Sequence, residues 1–554
     1  MEGLRRADKA WLELCNGPQR EPPKVIHETS APLPLCAKVY DAVILGGTLG
    51  IFHGAALALR GRRVAVVERG KLQGREQEWN ISRSDMKVFV DMGLVSEAEL
   101  EAAIVSEFNP VRMGFEGRVE VTTHDVLNCG VLPAMLIEAV KQRFLAAGGT
   151  LLEGLAFQEA AVHPEGVLVQ LQPVRSGRVP TGAGGAGGEA AELQTVSDGG
   201  SSGETVALAA GVLVDAMGSF SPIARQARRG AKPDSVVLMV GCCASGLPPA
   251  PAADLLYAFT ELDRARQLQY FFEAFPARDG LTTYMFAYTD PAPGRASLEE
   301  IFKDYLSLLP RYRGVDDLRG VELKRAFFGF VPNWYDSPLH PVTSRLMHVG
   351  DSAGNRSALS FAGFGAMARH LQRLTDGLEC ALDGGLVGRG ALGLLQPRSP
   401  AISMTNAMQQ TMGTRAHQDF AAQDFDDDII VDYLASSFSA MRDMGPAVYR
   451  PFMQDYLQWS LLARIVAKQI ASSPGKLLRM TLFLRSPAAG AAFVGNFFGI
   501  MVYDALYRLA GLVGPAHHFL LKPFPALLFR WDCLVDAFKY GSANDYVVEN
   551  VSSS

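Results

Sequence analysis

The chain has 554 residues, 48% of them apolar and 20% charged, with 52 Lys and Arg against 58 Asp and Glu for a net charge of −6. That much apolar material excludes a disordered chain, and the lack of a basic excess excludes nucleic-acid binding through global charge. Seven cysteines, an odd count without any C-x-x-C spacing, indicate neither a disulfide framework nor a zinc site, and they favour a thiol-reducing compartment.

Residues 1–37 read as an extension: a short helix near Asp8–Leu14, then irregular chain with Pro18, Pro22, Pro23, Pro32 and Pro34. No continuous apolar stretch marks a secretory peptide. Glu2, Asp8, Glu13 and Glu21, with no serine before Ser30, do not fit a transit peptide. From Lys38 the pattern changes. Ala42–Leu45 is an apolar run followed by a glycine cluster, an Ala/Leu-rich helix and Val64–Val67, which together spell a βαβ unit. Leu132–Ala147 has helical spacing and stops at Gly148-Gly149, and Val167–Leu171 alternates like a strand. Residues 174–204 are Gly/Ser/Ala-rich and read as a disordered hairpin insertion without function. Strand-like runs at Val236–Val240, Leu268–Phe272 and Thr282–Tyr288 suggest an antiparallel sheet, and after Gly350 the chain turns helical to about residue 540.

The stretch from Asp41 to Arg69, DAVILGGTLGIFHGAALALRGRRVAVVER, carries the chemistry of a dinucleotide loop. A tight glycine turn lets the backbone approach a pyrophosphate at a helix N-terminus, where free N–H groups and the helix dipole favour negative charge. With Gly50 as the last glycine of G-x-G-x-x-G, Gly47 takes the middle place, the first falls on Leu45, and Gly46 comes one residue late. Glu68 ends the second strand 18 residues after Gly50, where a carboxylate accepts from the adenosine ribose hydroxyls. Arg69 follows it, and Arg75 and Arg83 lie just beyond, placed to bring one guanidinium to the phosphates.

Two further pieces separate FAD from NAD. LMHVGDSAGNRSALSFAGFGAMARHLQRL runs from an apolar strand into Gly350-Asp351 and opens a long helix after Gly363 and Gly365. It resembles the second flavin motif of p-hydroxybenzoate hydroxylase-like flavoproteins, which implies that Asp351 binds a ribityl hydroxyl and that the helix N-terminus faces the flavin's pyrimidine edge. LVDAMGSFSPIARQAR, with Asp215, Gly218, Ser221 and Arg225, resembles the D-G-x-x-S-x-x-R segment of the same superfamily, with two residues inserted between Asp and Gly. Together these imply FAD. The absence of a second glycine fingerprint and of a redox cysteine pair argues against the glutathione reductase type.

Several stretches in combination resemble the lycopene cyclase-like flavoproteins of the CruA and CruP branch, known from cyanobacteria and plastids, with the greater likeness to CruP. They are GGTLGIFHGAALA (46–58), GREQEWNISRSDM (74–86), DAMGSFSPIARQ (215–226), FFEAFPARDGLTTYMFAYTDP (271–291), SFAGFGAMARHLQRL (360–374), MGPAVYRPFMQDYLQW (444–459) and AFKYGSANDY (537–546). The resemblance implies an α/β chain with a Rossmann-like FAD-binding domain (38–94, 131–232 and 336–384), an antiparallel-sheet substrate domain (95–130 and 233–335) and a C-terminal helical region (385–554). In lycopene cyclases an F-L-E-E-T motif carries an essential acid. Phe271-Phe272-Glu273-Ala274-Phe275 matches it at Phe271 and Glu273, with Ala274 and Phe275 replacing the second acid and the threonine. Glu273 is accordingly the expected proton donor, since an acid in an apolar wall keeps its proton and can deliver it to an isoprenoid double bond.

Asp424, Asp426, Asp427, Asp428 and Asp432 do not have prenyl-synthase spacing and read as an acidic run opening a helix, and no metal ligand set is expected. Residues 456–503 hold Arg464, Lys468, Lys476, Arg479 and Arg485 and no acid, and end in an apolar stretch interrupted by Pro487, three glycines and Asn496. The 18 residues from Ser486 to Tyr503 give about 27 Å of helix, which suits lying on or dipping into a membrane rather than spanning it. Three readings follow: a plastid, membrane-associated, lycopene cyclase-like FAD enzyme; an FAD-dependent monooxygenase or reductase acting on an isoprenoid or oxidised carotenoid, with NADPH or ferredoxin as electron donor; and a carotenoid-binding flavoprotein without turnover.

Overall fold

A computed structural model of the chain describes residues 2–18, 21–34, 38–174, 184–185, 188–189, 205–249, 252–360, 362–416, 418, 425–514 and 516–546. The expectation for 174–204 therefore falls outside the described residues, apart from Val174 and two short strand pieces at its centre.

The short apolar runs around the glycine cluster assemble as a parallel core, because strands covered by helices on both faces can be apolar throughout. Lys38–Leu45 lies between Val64–Glu68 and Val206–Asp215, with Thr150–Glu153 beyond one and Leu346–His348 beyond the other, all parallel. The helix Gly50–Ala58 packs between this sheet and Pro133–Ala146, and Ile51, Phe52, Ala55 and Ala56 are all buried. Pro133 opens the second helix at a position where its missing N–H costs nothing, and Gly148, at φ 85°, follows its end. Val167–Pro173 continues the sheet antiparallel to Val206–Asp215, then Leu155–Val162.

The second sheet has seven strands in the order Glu322–Asn333, Ser235–Ser245, Gly280–Thr289, Phe271–Ala277, Ala253–Ala258, Val111–Phe115 and Val119–Thr123. The three expected runs are its centre and are antiparallel, although Leu268 lies before its strand, which starts at Phe271. One face packs on the helix Leu298–Arg313 and the N-terminal helix. The other packs on a C-terminal bundle that includes Ile429–Met444, Trp459–Ser472, Pro474–Leu484 and Pro487–Val513.

The N-terminal extension is not separate from this core. Its helix spans Glu2–Asn16 and inserts Leu4, Ala7, Trp11 and Cys15, one stripe at helical spacing, against the second sheet. Trp11 has no solvent exposure, its ring centroid is 5.5 Å from that of Phe330, and its indole N–H donates to the Ala296 carbonyl at 2.9 Å. Ile26–Glu28 then adds a parallel edge strand beside Leu155–Val162. Replacing a fully buried tryptophan leaves a large void, so Trp11→Ala is expected to lower unfolding free energy by about 3–5 kcal/mol. Denaturant titration of the variant beside wild type measures it.

Candidate functional site

The glycine cluster closes the end of the first strand in a turn that tolerates no side chain. Gly46 has φ 93°, and a Cβ there would lie 2.5 Å from the Ala216 carbonyl oxygen. This explains the irregular fingerprint: Leu45 finishes the strand as a core residue, and the turn moves one place on to Gly46. Gly47 donates its N–H to Glu68 Oε2 at 2.8 Å, and a Cβ on Gly50 would meet Ile44 Cγ2 at 2.8 Å, so Gly50 sets the close packing of helix on strand. Glu68 Oε1 accepts from the Gly70 N–H at 3.1 Å. No side chain caps the helix that begins at Gly50.

This turn borders a cavity of about 1880 Å³. Gly46, Gly47, Glu68, Arg69 and Arg75 lie on its wall, and so do Gly350, Asp351 and Gly363. Asp351 Oδ1 is 2.6 Å from Arg356 Nη1, but the two are not aligned for a hydrogen bond, and this buried oxygen remains an unused acceptor. A Cβ on Gly363 would come within 2.9 Å of it. The helix Gly363–Asp383 starts there with Ala362 as an N-cap that makes no side-chain bond. An unused acceptor, a glycine too close to hold a side chain and an uncapped helix N-terminus make a cradle that suits the hydroxyl-bearing chain and polar ring edge of a flavin nucleotide.

Two expected placements are corrected, and one of two alternatives is decided. Asp215 is not on the cavity wall. It lies beneath it, accepting from Ser221 Oγ at 2.6 Å and the Met217 N–H at 3.1 Å and facing His348 Nδ1 at 3.0 Å, and so shapes the turn Met217–Ser221 that is on the wall. Gly365 sits inside the first turn of its helix and off the wall; its nearest contact would be Ala362 Cβ at 4.0 Å. Arg83 is spent in surface ion pairs with Glu101 and Glu107, away from the cavity. Arg75 is the guanidinium that enters, 5.7 Å over the Trp79 ring, with burial lowering its pKa beside Tyr284 and Glu78.

Glu273 belongs to the strand Phe271–Ala277. Side chains alternate there, so Phe272 and Ala274 pack toward the N-terminal helix while Glu273 and Phe275 face the cavity. Tyr284 is its cross-strand partner, and Phe286, Tyr288 and Val331 add to the wall. Glu273 keeps partial exposure only because it faces this interior space; among the described residues it has no ionic partner. Burial alone pushes its pKa up to about 8. At neutral pH this is a neutral carboxylic acid with a proton to give.

Sequence reasoning missed three groups at the same wall. Asp455 is half-buried, with its pKa raised by desolvation, and accepts from Ser357 Oγ at 2.6 Å and from Ser360 Oγ in the loop that leads to Gly363. It lies within the matched stretch 444–459, but no residue type there signals contact with a loop a hundred residues earlier. Tyr288 Oη donates to the Leu359 carbonyl of that loop at 2.6 Å. His53, also on the wall, is held neutral by burial, its pKa pushed down to about 4.

Where it meets the C-terminal helices the cavity has a largely apolar arm, lined by Met441, Leu462, Ile465, Met480, Leu484 and Phe493. The basic segment is less free than its sequence suggests. Lys468, Lys476 and Arg479 pair with Asp443, Asp432 and Asp426 at 3.6, 2.7 and 2.5 Å. Asp427 and Asp428 pair with Arg264 and Arg118, so the acidic run mostly serves as counter-charge for neighbouring arginines and lysines.

No family model and no curated protein matches the chain. Among solved structures it is similar to a geranylgeranyl bacteriochlorophyll reductase-like protein from Thermoplasma acidophilum, at 12% identity and a TM-score of 0.54, over 81% of this chain and 100% of that one. It is also similar to the halogenase PltM in complex with phloroglucinol and FAD, at 12% identity and a TM-score of 0.50, over 91% of this chain and 98% of that one. At such identities the likeness establishes a shared fold.

Two outcomes follow from this geometry. Glu68→Ala removes the acceptor that holds the Gly47 amide at the cavity wall. At about 1.5–3 kcal/mol for a charge-assisted contact, FAD affinity should fall about 10- to 100-fold in a fluorescence titration. For Glu273, the folded-state pKa of about 8 exceeds the ordinary glutamate value of 4.5, so the folded chain carries the extra proton between those pH values. Stability from this group is therefore greatest at acid pH and is lost as pH rises through 8. Glu273→Gln should gain roughly 2–4 kcal/mol relative to wild type between pH 5 and 9 in paired denaturation curves.

Proposed function

We propose that the chain is an FAD-dependent enzyme acting on an isoprenoid, with a lycopene cyclase-like, proton-initiated end-group cyclisation as its reaction. The observation that carries this reading is Glu273, a protonated acid in an aromatic stretch of the wall of the cavity that the glycine turn also borders.

FAD is supported by the fit of the cradle formed by Gly46, Gly47, Glu68, Gly350, Asp351 and Gly363, with Arg69 and Arg75 on the same wall. Bound in reduced form, it would supply negative charge that stabilises a nearby cation. The other roles belong to the chain. Glu273 gives its proton to a terminal double bond of the substrate, a tertiary carbocation forms, and Phe275, Tyr284, Phe286 and Tyr288 present ring faces to it. Ring closure and return of a proton from the neighbouring carbon to the Glu273 carboxylate restore neutrality and the acid, so the sum is an isomerisation without net oxidation. The apolar arm excludes water that would otherwise trap the cation.

The carotenoid substrate and a plastid location at a thylakoid or envelope membrane are supported by the resemblance to the CruA and CruP branch. A net redox reaction on an isoprenoid is the second reading, favoured by the likeness to a geranylgeranyl bacteriochlorophyll reductase-like protein. It would require NADPH or ferredoxin as donor.

Anaerobic incubation of reduced holoprotein with lycopene separates the two. Ring formation without flavin reoxidation is expected, whereas stoichiometric reoxidation with product would establish the redox reading. Glu273→Gln should retain FAD, checked by absorbance, and lose about 10²- to 10⁴-fold in turnover. A loss below about 10-fold would remove Glu273 as the acid.

A further inference from the structure

Of the 20 large apolar side chains most exposed among the described residues, 14 lie between Ile470 and Leu534. They are not scattered. On the 27-residue helix Pro487–Val513, Val494, Phe498, Val502, Leu509, Leu512 and Val513 fall within a stripe about 100° wide at 100° per residue. Ala489, Asn496 and Ile500, which are buried, lie on the opposite side. Leu478 and Leu482 continue the exposed face on Pro474–Leu484, and Phe519 and Leu520 continue it after the long helix. Soluble proteins rarely leave so large a contiguous apolar patch uncovered.

Two observations say what covers it. The first is charge. Residues 456–535 contain eight Lys and Arg and two Asp and Glu. Lys468, Lys476, Arg479 and Arg508 are paired, which leaves Arg464, Arg485, Lys522 and Arg530 without an acidic partner among the described residues. Exposed apolar side chains in a segment that also carries unpaired cations complement anionic lipid. The second is continuity with the cavity. Thr481, Gly490 and Val494 are exposed and also line it, so its apolar arm opens on this same face, between Pro474–Leu484 and Pro487–Val513. The long helix could cross a membrane by length and hydropathy. It packs, however, along the helices Pro400–Gln409 and Pro525–Gly541, with Gly499 close against Pro400, and so lies in the plane of the face.

We propose that this face docks on an anionic lipid bilayer, apolar stripe immersed, and that the gap bounded by Thr481, Gly490 and Val494 is a portal through which an apolar chain passes from the lipid into the cavity. The portal rests on the isoprenoid reading above; the docking does not. No covalent step is involved. The chain slides from one apolar medium to another and need not cross water.

The test uses FAD-loaded full-length protein with vesicles of phosphatidylcholine and phosphatidylglycerol, with and without embedded lycopene. Leu512 and Phe519, each 82% exposed and away from the cavity, serve for docking. Wild type should cosediment with the vesicles, and Leu512→Glu with Phe519→Glu should weaken binding at least about 100-fold. A wild type that ignores the vesicles, pairs with itself in light scattering instead, or tolerates both substitutions overturns the docking. Gly490→Trp, at an exposed position with nothing within 4 Å of an added Cβ, serves for the portal. It should bind vesicles as wild type does yet take up lycopene, read by energy transfer from tryptophan, at least about 10-fold more slowly. The parent for this comparison is Phe519→Trp, so that tryptophan number is matched. Equal uptake overturns the portal and leaves the isoprenoid reading intact. If neither protein takes up lycopene while both bind vesicles, the isoprenoid reading falls with the portal and the docking stands.

Discussion

A carboxylic acid without a charged partner, held away from bulk water, governs how this cavity is built. Ionising Glu273 in place is expensive, so it stays neutral only while its surroundings remain apolar and enclosed. The strand alternation that directs it inward, the aromatic residues opposite and the bundle that covers the sheet all serve that enclosure. An ion pair at this position would make a more conventional wall and abolish the acid. The same low-polarity space that retains the proton would also suit the proposed isoprenoid, so on that reading acidity and substrate choice have one origin.

Much of the dinucleotide half was legible because its constraints are local. A turn that excludes Cβ, a strand ending in an acid and a helix opening on glycine each leave marks within a few residues, as Gly46, Glu68 and Gly363 show. What could not be read depends on contacts distant in sequence. Asp215 carries the right residue type in a recognisable segment, yet Ser221 and His348 take up its oxygens and turn it from a ligand contact into a support. The segment 456–503 looks strongly basic until Asp426, Asp432 and Asp443 fold back on it. The N-terminal helix looked peripheral because its charged face dominates its composition, whereas its placement was decided by Trp11 and three smaller side chains.

The C-terminal bundle therefore has two apolar surfaces with different jobs. Its inner surface completes the wall around the cavity, and its outer surface is left uncovered. A helix apolar on both sides is ordinarily buried on both. Pro487–Val513 is buried on one, which places the boundary between protein interior and surroundings along the helix axis itself.

Asp455 links that bundle to the loop before Gly363 through two serine hydroxyls on a single carboxyl group, and Tyr288 ties the same loop to the central sheet. Two hydroxyls on one carboxyl group thus tie the bundle directly to the loop. In the terms of linked equilibria, any free energy that ligand in the apolar arm exerts on this joint is returned in equal measure by ligand at the glycine end. Ligands that both act on this joint would be thermodynamic neighbours, although a hundred residues separate the groups that join them.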